Sequence, residues 1–323
     1  MELTEYAKKV SRRLESYLRK KPRQIVTTHC CCIAFSLTEL SIIHVNKTPA
    51  AVELVLAETI AHTGLDNLSS ILSEVVRKHK LATVPAYWLL SPEEYQLFIL
   101  DSLPVKDDEL RDALQWRIRS MVSFSIDETV IDYFSLPAKK ATPTNTMIAA
   151  VVAKMDILTK QVALFEQAGL QITVIDVPEL AMRNLTSFCE NDEKSTAFIY
   201  FYEDKVILNI TCKKTLYFSR QIKLSTLTGT TTKNYEQLSL DIIRYFDYFQ
   251  TQWRQARPTR ILVSTKQEDR ENLTKTLSEH LLQPVEPFPL ELIFPHKVKI
   301  DHKQLLVLGS LLREEGSYVT PGN

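Results

Sequence analysis

His29 is followed directly by Cys30, Cys31 and Cys32, the one local run in this 323-residue chain whose side chains suit a soft metal ion or a thiol redox centre. The run reads as a strand, and a strand sends His29 and Cys31 to one face and Cys30 and Cys32 to the other, so four ligands cannot converge on one ion without help from elsewhere. Adjacent cysteines that point apart cannot pair comfortably. With Cys189 and Cys212 the total is five, an odd number that suits a reducing cytosol. Buried strand cysteines are the expectation, and a thiol-redox or metal protein is the alternative.

Other chemistry is scarce. The chain has no C-x-x-C, H-E-x-x-H, G-x-S-x-G, P-loop or G-x-G-x-x-G. His44, His62, His79, His280, His296 and His302 are scattered without ligand spacing. Asp127, Glu128 and Asp132 lie close enough in sequence to supply a general acid and base, but nothing separates such a pair from a solvated face. Phosphate cradles need glycine, because a backbone must approach the ligand closely and take positive φ. Average usage of about 7% would supply roughly 23 glycines. The chain has 6, at positions 64, 169, 229, 309, 316 and 322. Thr38 and the TGTTT run from Thr228 to Thr232 are what remain for an unorthodox phosphate site.

Composition narrows the partners. Hydrophobic residues are 45% and charged residues 24%, as in folded globular proteins. Lys plus Arg and Asp plus Glu are 39 each, so no global field draws the chain onto nucleic acid. The longest apolar stretch, Met147 to Ala153, falls far short of the roughly 18 residues that span a bilayer. Met1 to Arg23 has no apolar core or cleavage site, so no secretory signal is expected.

The elements that must position these residues follow from periodicity. Residues 2–21 read as a helix with Tyr6, Val10, Leu14, Tyr17 and Leu18 on one side and cations on the other; through Arg23 the net charge is +5. Such a helix is expected to make a peripheral, salt-sensitive contact with an acidic membrane; the alternatives are a helix packed on its own domain or a mobile extension. Gln24 to Phe35, Ser41 to Val45 and Val52 to Thr59 form a meander, Leu65 to Lys80 a helix, and Ala82 to Leu90 a strand. A second module begins at Ser91: strand 95–100, helix 106–120, strand 129–136, strand 147–153, helix 155–168, strand 171–176 and helix 179–188. The polar stretch Glu190 to Ser195 is the linker candidate. Beyond it lie another three-stranded meander (197–202, 206–211, 215–222), a long helix (235–255), a strand (260–264) and helices 270–282 and 304–313. Two halves with one opening theme suggest a duplicated α/β protein.

The segment from Leu103 to Leu136, with Glu109, Leu114, Trp116, Phe124, Asp127, Asp132 and Tyr133, resembles the PilM family of actin-like type IV pilus assembly proteins. It looks nearest to the MshI branch, which serves the mannose-sensitive haemagglutinin (MSHA) pilus. The blocks Met147 to Leu185 and Leu308 to Glu314 are similar in the same order. The resemblance implies the two-lobed α/β fold of actin, Hsp70 and sugar kinases, with a small domain inserted in the first lobe. On it, residues 1–23 form the basic amphipathic helix, 24–190 the first lobe with an insert at about 91–176, and 191–323 the second lobe. It also assigns nucleotide contacts to positions where this chain has Ala34 and Ser36, Tyr200 and Tyr202, and Thr265 and Lys266, instead of the family's acidic and glycine residues. No cofactor, no metal and no enzymatic activity are therefore expected. The implied role is an adaptor on the cytoplasmic face of the inner membrane that holds the cytoplasmic tail of a bitopic, PilN-like protein. Trp116, Arg117, Arg119, Phe124 and Tyr133 are its interface candidates. An ATPase or kinase of the same fold is the alternative.

Overall fold

The computed structural model describes residues 28–36, 38–48, 51–139, 146–190, 194–224, 231–266 and 270–313. The helix expected over 2–21 lies outside them, as do Thr228 to Thr230 of the hydroxyl run. The strands are β1 (His29–Phe35), β2 (Glu39–Lys47), β3 (Val52–Ala61), β4 (Ala86–Leu89), β5 (Tyr95–Asp101), β6 (Thr129–Leu136), β7 (Met147–Lys154), β8 (Ile172–Asp176), β9 (Thr196–Tyr202), β10 (Lys205–Cys212), β11 (Thr215–Lys223), β12 (Arg260–Ser264) and β13 (Val285–Pro287). The helices are α1 (Leu65–Lys78), α2 (Asp107–Ile118), α3 (Met155–Gln167), α4 (Pro178–Thr186), α5 (Thr231–Trp253), α6 (Arg270–Leu281) and α7 (His302–Leu311).

The expected duplication is present strand for strand. One sheet runs β3-β2-β1-β4-β8 and the other β11-β10-β9-β12-β13. In each, an antiparallel meander is extended by two parallel strands beside its first strand. The central strands β1 and β9 are buried on both faces, which is why HCCCIAF and TAFIYFY read as nearly unbroken apolar runs instead of alternating ones. The repeat extends to an irregularity. Register shifts leave Val55 of β3 and Tyr217 of β11 without an opposite residue, one extra residue on each outer strand. A bulge of this kind twists an exposed edge away from further pairing.

The chain divides into two compact units, one holding the first sheet and the small domain, the other the second sheet. In the first, β5-β7-β6 form a separate three-stranded sheet. Leu110, Leu114 and Ile118 of α2 close over it onto Leu100, Ile131, Ile148 and Val152. This insert is shorter than the expected 91–176. β8 pairs in parallel with β4, and Phe165 of α3 packs against Phe35 and Trp88 (ring centroids 5.3 and 5.9 Å), so both elements after Lys154 belong to the first sheet. In the second unit, α5 and α6 cover one face of the sheet, setting Leu238, Ile242, Phe249, Leu273 and Leu277 against Ala197, Ile199 and Leu208.

The change of unit falls between Pro178 and Glu179, ahead of the linker expected at Glu190 to Ser195. The cause is α4, whose polar side chains bond within the second unit. Asn209 Nδ2 donates to the Glu179 carbonyl (2.8 Å), Gln221 Nε2 to Glu179 Oε1 (2.9 Å), and Asn184 Nδ2 to the Gly309 carbonyl (2.9 Å). There α4 and α7 come so close that a Cβ on Gly309 would lie 2.5 Å from the Ala181 carbonyl oxygen. Gly309→Ala is expected to cost about 1–3 kcal/mol, since backbone must move to admit the methyl. Urea denaturation measures it, and an unchanged midpoint would show that the helices separate freely.

Candidate functional site

The resemblance assigns the first nucleotide-contacting turn to the β1–β2 connection. Here Ser36 closes it. Ser36 Oγ accepts from the backbone N–H groups of Thr38 (3.3 Å) and Glu39 (3.1 Å), the donors a phosphate would need. His62, buried, reinforces the turn: its Nδ1 accepts from the Gly64 N–H (3.3 Å), so its Nε2 carries the proton and donates to the Ser36 carbonyl (3.1 Å). Thr38, the hydroxyl considered for an unorthodox phosphate site, sits exposed on this occupied turn.

The second turn joins β9 to β10, and Tyr200 lies on β9 shortly before it. The side chain is fully buried. Its hydroxyl donates to the His302 carbonyl (2.9 Å), and its ring stacks on the His302 imidazole at 6.1 Å. Burial, then the neighbouring Tyr202 and Asp301, push the phenol well above its ordinary pKa, so it stays neutral. His302 opens α7, and a helix start can hold an anion. Asp301 already occupies this one: its Oδ1 accepts from Gln304 N–H (2.8 Å) while Gln304 Oε1 accepts from Asp301 N–H (3.1 Å), a capping box. At the third position, after β12, Thr265 is buried and Lys266 exposed. Among the described residues no three His, Cys, Asp or Glu side chains are placed to hold a metal ion.

The histidine and cysteine run forms the start of β1. All five cysteines are free and buried; burial pushes the Cys31 thiol up to about 12. His29 instead meets His44 of β2, Nδ1 to Nε2 at 3.1 Å. Nearby, Glu58 of β3 takes Lys78 (3.0 Å) and His79 (2.8 Å) at the end of α1.

The five interface candidates all lie on the small domain but differ in setting. Because α2 turns Leu110, Leu114 and Ile118 inward, Trp116 points away from the core and is 73% exposed. Arg119 Cζ lies 5.6 Å from its ring centroid, and Arg117 is exposed beside it. Phe124 and Tyr133 are half-buried and pack against the domain's core, Phe124 under the Lys154 ammonium (5.1 Å). Asp132 is engaged by Arg111 (3.1 Å), which also bonds the Ile131 carbonyl (3.0 Å), while Asp127 and Glu128 are exposed. Met121 and Lys154 are further exposed residues of the small domain that the sequence reading did not single out. The cation-over-ring pairing that marks Lys154 requires β7 to be placed beside Phe124.

Two five-stranded sheets of the same topology, with a small domain inserted in the first, define an actin-like α/β protein. The chain belongs to the family described as type IV pilus assembly protein PilM, whose profile matches residues 36–230. Among solved structures it is similar to a PilM-PilN type IV pilus biogenesis complex at 14% identity and a TM-score of 0.69, covering 87% of this chain and 96% of that one. It is also similar to a Bacteroides thetaiotaomicron protein with an actin-like ATPase fold and unknown function, at 13% identity and a TM-score of 0.51, with coverage of 87% and 96%. No curated protein matches the sequence.

The surroundings of His44 are expected to make stability pH-dependent. Burial first, then His29 and His79, lower the His44 pKa below its ordinary value. A base whose folded pKa is depressed contributes stability above its unfolded pKa, near 6.5, and loses it as pH falls through that value toward the folded one. The melting temperature is therefore expected to drop between pH 7.5 and about 5.5, and to drop less in His44→Gln. An equal slope in both proteins would assign the effect elsewhere.

Proposed function

We propose that this protein is a non-enzymatic adaptor of a type IV pilus assembly platform of the MSHA-like kind, working by protein recognition at the inner membrane. The single observation that carries the reading is the second meander turn. β9, the strand that leads into it, carries Tyr200 where the resemblance expects a nucleotide contact, and a phosphate at that position would have to displace a fully buried ring and break its hydrogen bond to the start of α7. Family membership supplies the context of pilus assembly. Among the described residues no helix is long and apolar enough to cross a membrane, so attachment falls to a partner or to surface contacts.

The partner proposed is the cytoplasmic tail of a bitopic, PilN-like protein. Support comes from the resemblance to a structure determined as a PilM-PilN complex. The tail is proposed to dock on the small domain around the five candidates, with the half-buried rings of Phe124 and Tyr133 as its apolar floor and Trp116, Arg117 and Arg119 at the rim. Rings anchored on a core offer contact area without much loss of side-chain freedom. Residues 1–23 are proposed to add a weak electrostatic contact with the bilayer.

Full-length protein immobilised and challenged with synthetic tails of the bitopic proteins encoded beside it tests the reading. One tail is expected to bind, and Phe124→Ala or Tyr133→Ala to weaken it roughly tenfold, about 1.4 kcal/mol. Absence of binding by every such tail would remove the adaptor role.

A further inference from the structure

From Ala113 to Ile126 the chain carries Arg117 and Arg119 and no acidic residue, although acidic side chains crowd both flanks. The fold turns much of this run outward. Trp116 is 73% and Met121 45% exposed. Arg117, Arg119 and Lys154 are exposed as well. Two of these cations lie over aromatic rings, Arg119 at Trp116 (5.6 Å) and Lys154 at Phe124 (5.1 Å). Among the described residues none of the three has a carboxylate partner, whereas Arg111, on the same helix, is tied to Asp132. Exposed apolar side chains interleaved with unpaired cations await an anionic partner that also offers an apolar layer.

The tail proposed above rests on the half-buried rings of Phe124 and Tyr133 and meets these cations only at its rim, so it leaves most of their charge unanswered. Anionic phospholipid supplies both missing features: phosphate oxygens that accept paired N–H donors from arginine, and a headgroup boundary where tryptophan is favoured.

We propose that Trp116 and Met121, flanked by Arg117, Arg119 and Lys154, form a peripheral contact between the small domain and anionic phospholipid headgroups. The arginines engage headgroup phosphates, and the indole and thioether enter the boundary below them. The contact is reversible and salt-sensitive, because each cation contributes only within a Debye length of the surface. It does not depend on tail binding, and vesicles without any partner test it alone.

Trp116 is itself the probe, since Trp88 and Trp253, the other two tryptophans, are 0% and 2% exposed. Full-length protein is mixed with phosphatidylcholine vesicles with or without roughly 30% phosphatidylglycerol. With the anionic vesicles the emission is expected to shift to the blue and acrylamide quenching to fall several-fold. About 0.5 M NaCl should reverse both changes, and neither occurs in Trp116→Phe or with phosphatidylcholine alone. Arg117→Glu/Arg119→Glu, whose sites are exposed, is expected to lose most vesicle co-sedimentation with its melting temperature unchanged. Three results would overturn the proposal: no vesicle binding; binding that leaves Trp116 as quenchable as in solution, which places the contact elsewhere, such as residues 1–23; or shielding of Trp116 by a synthetic partner tail but not by vesicles. Should the charge-reversed protein fail to fold, Trp116 quenching in the unaltered protein still decides.

Discussion

A buried phenol needs a hydrogen-bond partner, and in this protein the partner is the opening carbonyl of a helix. Tyr200 lies on the central strand of the second sheet, and its hydroxyl and ring both engage His302. That contact ties β9 to α7 while Asp301 satisfies the helix's own free donors. The strand and the helix are thus joined by the chain's own side chains.

The first sheet reaches the same end by different chemistry. Ser36 uses its hydroxyl to hold the N–H groups of its own turn, and His62 fixes the Ser36 carbonyl from across the meander. Ser36 consumes the N–H donors that make such a turn receptive to anions, whereas Tyr200 spends its own donor on the His302 carbonyl. Unsatisfied interaction capacity lies instead on the small domain, where an exposed indole and unpaired guanidinium groups stand out from a well-packed core.

Much of this was legible in the sequence because it depends on local pattern. β1 and β9 announce themselves as central strands by continuous apolar runs, and the spacing of Leu110, Leu114 and Ile118 turns Trp116, two residues from its nearest core neighbours, outward. What failed to show was set by contacts distant in sequence or by elements too short to have a period. β13 is three residues long and ends in Pro287, so no alternation reveals it. The insert's limit at Lys154 depends on β8 pairing with β4, and the unit boundary on Glu179 and Asn184 bonding across the second unit. The Ser36–His62 lock spans 26 positions. The resemblance marked Ser36 and Tyr200 as departures from a nucleotide site, but the structure was needed to show that Ser36 caps its own turn and that Tyr200 bonds the start of α7.

Heating the full-length protein in increasing Mg-ATP tests the central claim most directly, because a ligand that binds only the folded state raises its melting temperature by mass action. The account predicts the same melting temperature from zero to millimolar nucleotide. A saturable rise of several degrees would contradict it, since the turns held by Ser36 and Tyr200 would then have to open for a phosphate.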